Sequence, residues 1–211
     1  MNLQSYLKHS MHNVRDILWQ RKLNHFPSTA DGKRLLHIGC GEINSPEFIN
    51  LDARPMSHVH IVSKNILNLR NIPNESLDMV YMSHVLEHVP RNQVSETIKE
   101  MHRVLKKGGV LRVSVPDFDH IVNIYQSTEK NIQSIAPALM GGQDYKFNFH
   151  YCIFNKNFLE HLLLESEFEQ VMAWDPNNCE HHEFEDWASK SIYVNDRPYP
   201  ISLNLEARKR H

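Results

Sequence analysis

The run Leu35-Leu36-His37-Ile38-Gly39-Cys40-Gly41 constrains this chain more than any other segment. Arg34–Ile38 is a short, mostly apolar stretch that reads as a buried strand, and two glycines turn the backbone as soon as it ends. Glycine there permits a left-handed backbone and lets a ligand lie against the main chain. In an open α/β sheet the carboxyl end of the first strand is where nucleotide-like ligands bind. Phe48–Leu51 reads as the second strand, and Asp52 follows it, placed to accept hydrogen bonds from both hydroxyls of a ribose.

Two details separate this turn from a dinucleotide cradle. Position 44, where a third glycine would stand, is Asn44. Ten residues separate Gly41 from Asp52, so the first crossover helix is short or missing. A pyrophosphate wants that helix N-terminus. S-adenosyl-L-methionine (SAM) has no phosphate and can do without it. A dinucleotide site and a degenerate site that holds no cofactor are the alternatives.

The rest of the chain fits an α/β domain. His58–Val62, Leu77–Met82 and Val110–Val115 read as the third, fourth and fifth strands. Val94, Ile98, Met101 and Leu105 make one face of a helix before the fifth strand. Lys106-Lys107 then fall in its last turn, and Gly108-Gly109 end it. Asn155 is placed to cap a helix carrying Phe158, Leu159, Leu162 and Leu163. Val171–Trp174 reads as a sixth strand and Ile201–Ala207 as a seventh, antiparallel at the end of the sheet. Strands alternating with crossovers imply a Rossmann-like, mostly parallel seven-stranded sheet with helices on both faces. Residues 1–33 read as an N-terminal amphipathic helix (3–23) and linker, and 34–211 as the domain. That helix packs on the flank of the domain, with a lid or a homodimer contact as alternatives. Residues 126–151 lack periodicity and read as a lid-like insertion.

Composition narrows the partners. The 211 residues carry a formal net charge of -2, which gives no general attraction to nucleic acid. No apolar run approaches a membrane span, and Lys8, Arg15 and Arg21 interrupt any signal-peptide pattern. Cys40, Cys152 and Cys179 form no CxxC pair, so a reduced, cytoplasmic protein without a disulfide framework is expected. Cys179-Glu180-His181-His182-Glu183 looks like a metal cluster on paper, but adjacent histidines rarely share an ion. Asp117, Asp119 and His120 offer an alternative set for a divalent ion, and no metal is expected.

Taken together these motifs resemble the class I SAM-dependent methyltransferases. They are similar to the small type 11 branch that includes predicted polysaccharide-associated enzymes. The resemblance rests on Leu36–Gly41, Phe48–Asp52, Ser76–Tyr81, Ser83–His88, Arg103–Gly109 and Val115–Asp117, with support from Gly141–Gln143 and Ile201–Ala207. It covers residues 34–207. Three positions depart from the branch: Asn65 stands where an acid is usual, Lys107 replaces a proline, and Ser166-Glu167 replaces a small-Gly pair before Phe168.

The resemblance implies that His37, Gly39, Cys40 and Gly41 lie beside the methionine moiety, that Asp52 holds the ribose, and that Asn65 and Ile66 sit by the adenine. Ser83 and His84 would stand where the methyl group meets the acceptor. Methyl transfer to a hydroxyl needs a positioned nucleophile and removal of a proton. His84 is the first candidate base, with Asp117 and His150 as further catalytic candidates and His88 as a structural residue. Tyr145, Phe147, Phe149 and Tyr151 are read as filling a loop core, or as stacking on a ring. The expected acceptor is a small molecule, a sugar or nucleotide-sugar hydroxyl above others. The rival is a non-catalytic SAM-fold module that regulates a partner enzyme.

Overall fold

The computed structural model describes residues 25–211, together with Trp19 and Lys22. The helix expected over 3–23 otherwise lies outside the described residues.

Seven strands form one sheet in the order β3-β2-β1-β4-β5-β9-β6. They are β1 (Leu35–Ile38), β2 (Phe48–Asp52), β3 (Ile61–Val62), β4 (Leu77–Ser83), β5 (Leu105–Pro116), β6 (Phe168–Ala173) and β9 (Ser202–Lys209). Every residue of β1 and β2 is buried, which is why those strands read as unbroken runs rather than alternating ones. β1 through β5 pair in parallel, whereas β9 runs antiparallel to both neighbours. The last strand is thus antiparallel as expected. Its place differs: it lies between β5 and β6, one strand in from the edge.

Helices flank the sheet. On α1 (Val94–Val104), Val94, Thr97, Ile98, Met101 and Val104 are buried, the stripe that its periodicity predicts. α2 (Phe118–Ser127) begins where Asp117 accepts the Asp119 N–H at 3.0 Å. A short α3 (Ala136–Met140) lies within the 126–151 segment. α4 (Lys156–Glu165) begins where Asn155 Oδ1 accepts the Phe158 N–H at 3.1 Å. Such caps are each worth about 1 kcal/mol.

The helix before β5 ends one step earlier than its glycines suggest. Leu105 is already extended (φ -70, ψ 140), so Lys106 to Gly109 belong to β5. Leu77 pairs with Leu105 and Met79 with Val110, so four residues of β5 bulge opposite Asp78. Lys106 Nζ lies 2.8 Å from that carboxylate, and this ion pair, rather than the helix dipole, is what the lysine serves.

Over β1, β2 and β4 the second face of the sheet is filled by an aromatic cluster. Leu35, Phe48, Met79 and Tyr81 meet Trp174 and Ala188, with Phe184 packed against them. Arg112 lies 4.9 Å from the Trp174 ring centroid and pairs with Glu206 at 3.0 Å. A hairpin the sequence reading did not anticipate, β7 (Ser191–Val194) and β8 (Arg197–Pro200), stands apart from the main sheet. Its two turn residues, Asn195 (φ 51) and Asp196 (φ 61), both have positive φ, as a type I′ turn requires.

Candidate functional site

The glycine turn forms as the sequence implies. The N–H groups of Gly39 and Cys40 both donate to Leu51 O, at 2.7 and 3.2 Å, which locks the turn to the end of β2. Gly39 has φ +67, and a Cβ there would stand 2.4 Å from Val85 Cγ2. Gly41 has φ +55, but the nearest atom to a Cβ would be Arg54 Nη2 at 3.8 Å, because this residue faces open space. No helix follows: residues 42–47 are turns and irregular chain.

Asp52 is buried, and its carboxylate ties the two loops together. Oδ2 accepts the Gly41 N–H at 2.9 Å, and Oδ1 accepts the Arg54 N–H at 2.8 Å. An ionised carboxylate offers about four lone-pair sites, so acceptor capacity remains for further donors. Cys40 is buried beside it. Burial pushes the thiol up to about 12, helped by the Asp52 charge, so the group is a neutral wall and not a nucleophile.

These residues open into a cavity of ≈ 1490 Å³. His37, Gly39, Cys40, Gly41, Asp52, Asn65, Ile66, Ser83 and His84 all line it, as does His150. Asp117 does not: one carboxylate oxygen caps α2, and the other lies 3.8 Å from His120 Nε2. Asn65 Oδ1 accepts the Leu67 N–H at 2.9 Å, which fixes the loop after β3. His37 is wholly buried and stacks on Phe184, with centroids 5.6 Å apart.

On the far side of the turn lies a cluster of ionisable groups. His84 has a left-handed backbone (φ 52) and is held by its N–H to Ser114 O at 2.9 Å. Its Nδ1 lies 3.2 Å from Glu87 Oε1 and its Nε2 2.8 Å from Ser202 Oγ. The Ser202 hydroxyl donates to Trp187 O at 2.6 Å, so the ring is the donor to Ser202. Nε2 is therefore engaged, while Nδ1 faces the Glu87 carboxylate without a completed hydrogen bond. Leu86–His88 is a short 3-10 turn. His88 Nδ1 meets Phe149 O at 3.0 Å, and His150 Nδ1 meets Ala138 O at 3.1 Å.

The sequence reading did not single out Arg54 or Trp187 and gave Glu87 no role. Trp187 is half exposed, lines the cavity, and lies 5.9 Å from the His84 ring. Tyr145 and Tyr151 are 44% and 57% exposed and also line the cavity, so they do not fill a loop core. The Cys179–Glu183 run disperses. Cys179 Sγ accepts from Arg112, His181 pairs with Glu47 at 2.8 Å, and His182 sits in the aromatic cluster beside Asp186.

Comparison with known proteins gives the same frame. Residues 43–113 match the type 11 family described as a methyltransferase domain. No curated protein matches the chain. Among solved structures, it is similar to a SAM-dependent methyltransferase from Archaeoglobus fulgidus. The two are 16% identical with a TM-score of 0.55, over 99% of this chain and 100% of that one. A SAM-dependent methyltransferase from Methanosarcina mazei is 19% identical, with a TM-score of 0.51 over 84% and 92% of the two chains. A third, from Thermotoga maritima and described as a possible histamine N-methyltransferase, is 20% identical, with a TM-score of 0.50 over 84% and 83%.

The site residues suit the cofactor that such a domain uses. Gly41 leaves the space a Cβ would fill, Asp52 keeps acceptor capacity at the end of β2, and the phosphate-binding helix is missing where SAM has no phosphate to offer it. Residues 43–113 match the methyltransferase-domain family and the chain shares the fold of SAM-dependent methyltransferases of known structure, so S-adenosyl-L-methionine is the cofactor that this domain implies.

Proposed function

We propose that the protein methylates a hydroxyl of a small polar acceptor, a sugar or nucleotide sugar. The observation that carries this reading is a half-exposed aromatic ring, Trp187, 5.9 Å from the His84 ring, with Tyr145 lining the same cavity nearer Arg54. Trp187 is 47% exposed and Tyr145 44% exposed, and both line the cavity that the His84, Glu87, His88 and His150 cluster also lines. Flat rings half open to solvent offer an apolar face to a sugar ring while its hydroxyls stay hydrated or bonded. An aromatic filling a core would be covered.

Bound SAM supplies an electrophilic methyl group on a sulfonium. The chain supplies position. Gly39, Cys40 and Gly41 would face the methionine moiety, Asp52 would accept from the ribose, and Asn65 and Ile66 would flank the adenine. Ser83 and His84 stand at the end of β4, where the acceptor enters. Removal of the hydroxyl proton falls to the histidine and Glu87 cluster rather than to Asp117, which is spent on a helix cap. Residues 126–151, which carry Tyr145 and His150, form the lid over the acceptor. The small net charge argues against a nucleic-acid substrate. Among the described residues no helix is long and apolar enough to cross a membrane. The three cysteines are free, and a reducing cytoplasm suits them.

The test is incubation with SAM labelled in its methyl group and a panel of sugars, nucleotide sugars, nucleic acids and proteins, with products separated by charge and size. Label in a sugar fraction, as an ether stable to mild base, is the expected result. Label confined to nucleic acid or protein overturns the acceptor assignment.

A further inference from the structure

Glu87 is 0% exposed, and neither carboxylate oxygen has a hydrogen-bond partner among the described residues. His84 Nδ1 lies 3.2 Å from Oε1. A buried carboxylate without donors is costly unless a cation stands beside it.

His88 and His150 come from distant parts of the chain and meet beside it, with ring centroids 4.9 Å apart. Each spends Nδ1 on a backbone carbonyl, Phe149 O for His88 and Ala138 O for His150. A carbonyl can only accept, so each Nδ1 carries the proton, and in the neutral ring each Nε2 keeps a lone pair. Fixing the tautomer through the other ring nitrogen is how proteins prepare histidines to bind a metal.

The backbone holds the three residues in register. Glu87 O accepts the N–H groups of Tyr151 and Cys152, at 2.8 and 3.3 Å, and the His150 N–H donates to Met140 O at 3.1 Å. Glu87, His88 and His150 each offer a ligand atom within 4.8 Å of the others. In a tetrahedral set, ligand atoms about 2.1 Å from one ion lie ~3.4 Å from each other, so a contraction of up to about 1.4 Å completes the set.

We infer that Glu87, His88 and His150 form a binding site for a divalent first-row transition ion. Two imidazoles and one carboxylate suit zinc, manganese, iron, cobalt or nickel better than magnesium or calcium, which prefer an all-oxygen set. Three protein ligands leave positions open toward the cavity, where an acceptor oxygen can coordinate. His84, bonded through Nε2 to Ser202, is the outer partner that orients the Glu87 carboxylate. The existence of the site does not depend on the acceptor being a sugar; its role in acidifying an acceptor hydroxyl does rest on that reading.

The experiment uses untagged full-length protein stripped with a chelator and desalted. Cobalt(II), zinc(II) and manganese(II) are added singly. Bound metal is measured by mass spectrometry after gel filtration, and cobalt is also followed by its visible absorption. One ion per chain is expected, and His88→Ala and His150→Ala should each weaken binding by more than about tenfold. The expected result includes unchanged uptake by His181→Ala and Cys179→Ser. No retained ion in the wild-type protein, or equal uptake by the His88 and His150 variants, overturns the site. Binding of S-adenosylhomocysteine to the stripped protein is titrated in parallel. Cofactor binding without ion uptake sinks the metal site alone, and ion uptake without cofactor binding sinks the cofactor assignment alone.

Discussion

Arg54 folds back onto Asp52: its Nε lies 3.3 Å from Oδ1, and its own N–H donates to the same oxygen at 2.8 Å. The carboxylate that should receive the ribose hydroxyls is thus already shared with a cation. Tyr145 backs this arrangement, with the guanidinium carbon 5.7 Å from its ring centroid.

Asp52→Ala removes a charged acceptor and should weaken S-adenosylhomocysteine binding by about 1.5–3 kcal/mol, ten- to a hundredfold. Arg54→Ala removes a competitor for Oδ1 and should leave affinity within about threefold of wild type, or raise it. Calorimetric titration of both variants checks this. A tenfold loss in Arg54→Ala would mean that the arginine itself holds the ligand.

Gly39→Ala should cost on the order of 1–3 kcal/mol of stability. It adds left-handed strain and drives a methyl group into Val85, 2.4 Å away. Urea denaturation measures it, and an unchanged midpoint would show that the turn relaxes freely.

The opposite sign is expected at the end of α4. Glu167 has φ 65, in the position where helices usually place glycine. Glu167→Gly relieves about 1–2 kcal/mol of strain and gives back up to ~1 through added freedom in the unfolded chain. The expected outcome is a small gain in thermal midpoint; a loss would show that the side chain makes contacts worth more than the strain.

Burial, the largest influence on His37, lowers its imidazole to about 4. The Asp186 and Asp52 charges oppose that shift, and His182 adds to it. In the unfolded chain the ring titrates near ~6.5. Between those values the unfolded state binds a proton that the folded state refuses. Stability from this residue is therefore full above about pH 6.5 and is lost as pH falls toward 4, by on the order of 3 kcal/mol. His37→Phe should keep the stacking on Phe184 and flatten that loss, read as a smaller difference between urea midpoints at neutral and mildly acidic pH. An equally steep loss in the variant would assign the pH dependence to other groups.

Trp187→Ala should raise the acceptor KM by about two- to tenfold, matching the ~0.5–1.5 kcal/mol that aromatic contacts contribute, and leave S-adenosylhomocysteine affinity unchanged. Steady-state kinetics and titration separate the two. Loss of cofactor affinity with an unchanged KM would put the indole on the wrong side of the cavity.

What could be read from the sequence was what depends on short spacing. The Gly39–Gly41 turn, the missing crossover helix and the cap by Asn155 are each decided within a dozen residues. Where a local signal had two physical uses, the reading went astray. Lysines followed by glycines look like a helix end, but Asp78 on the neighbouring strand takes Lys106, and the glycines shape a bulge. Pro198 and Pro200 hid the hairpin, since proline argues against strand pairing, although Asn195-Asp196 was a usable turn signal. The meeting of His88 with His150 rests on the Glu87 carbonyl receiving Tyr151 and Cys152, a contact no spacing rule announces.

The place of β9 bears on how the chain is made. On a ribosome, β1 through β5 can pair in turn as they emerge. β6 emerges next, but its partner in the sheet, β9, is synthesised later. Until Ser202–Lys209 arrives, the Val110–Pro116 edge of β5 has no neighbour and β6 has no sheet to join. Through that interval the nascent chain carries an open, apolar strand edge, the kind of surface that chaperones cover and that pairs wrongly when they do not.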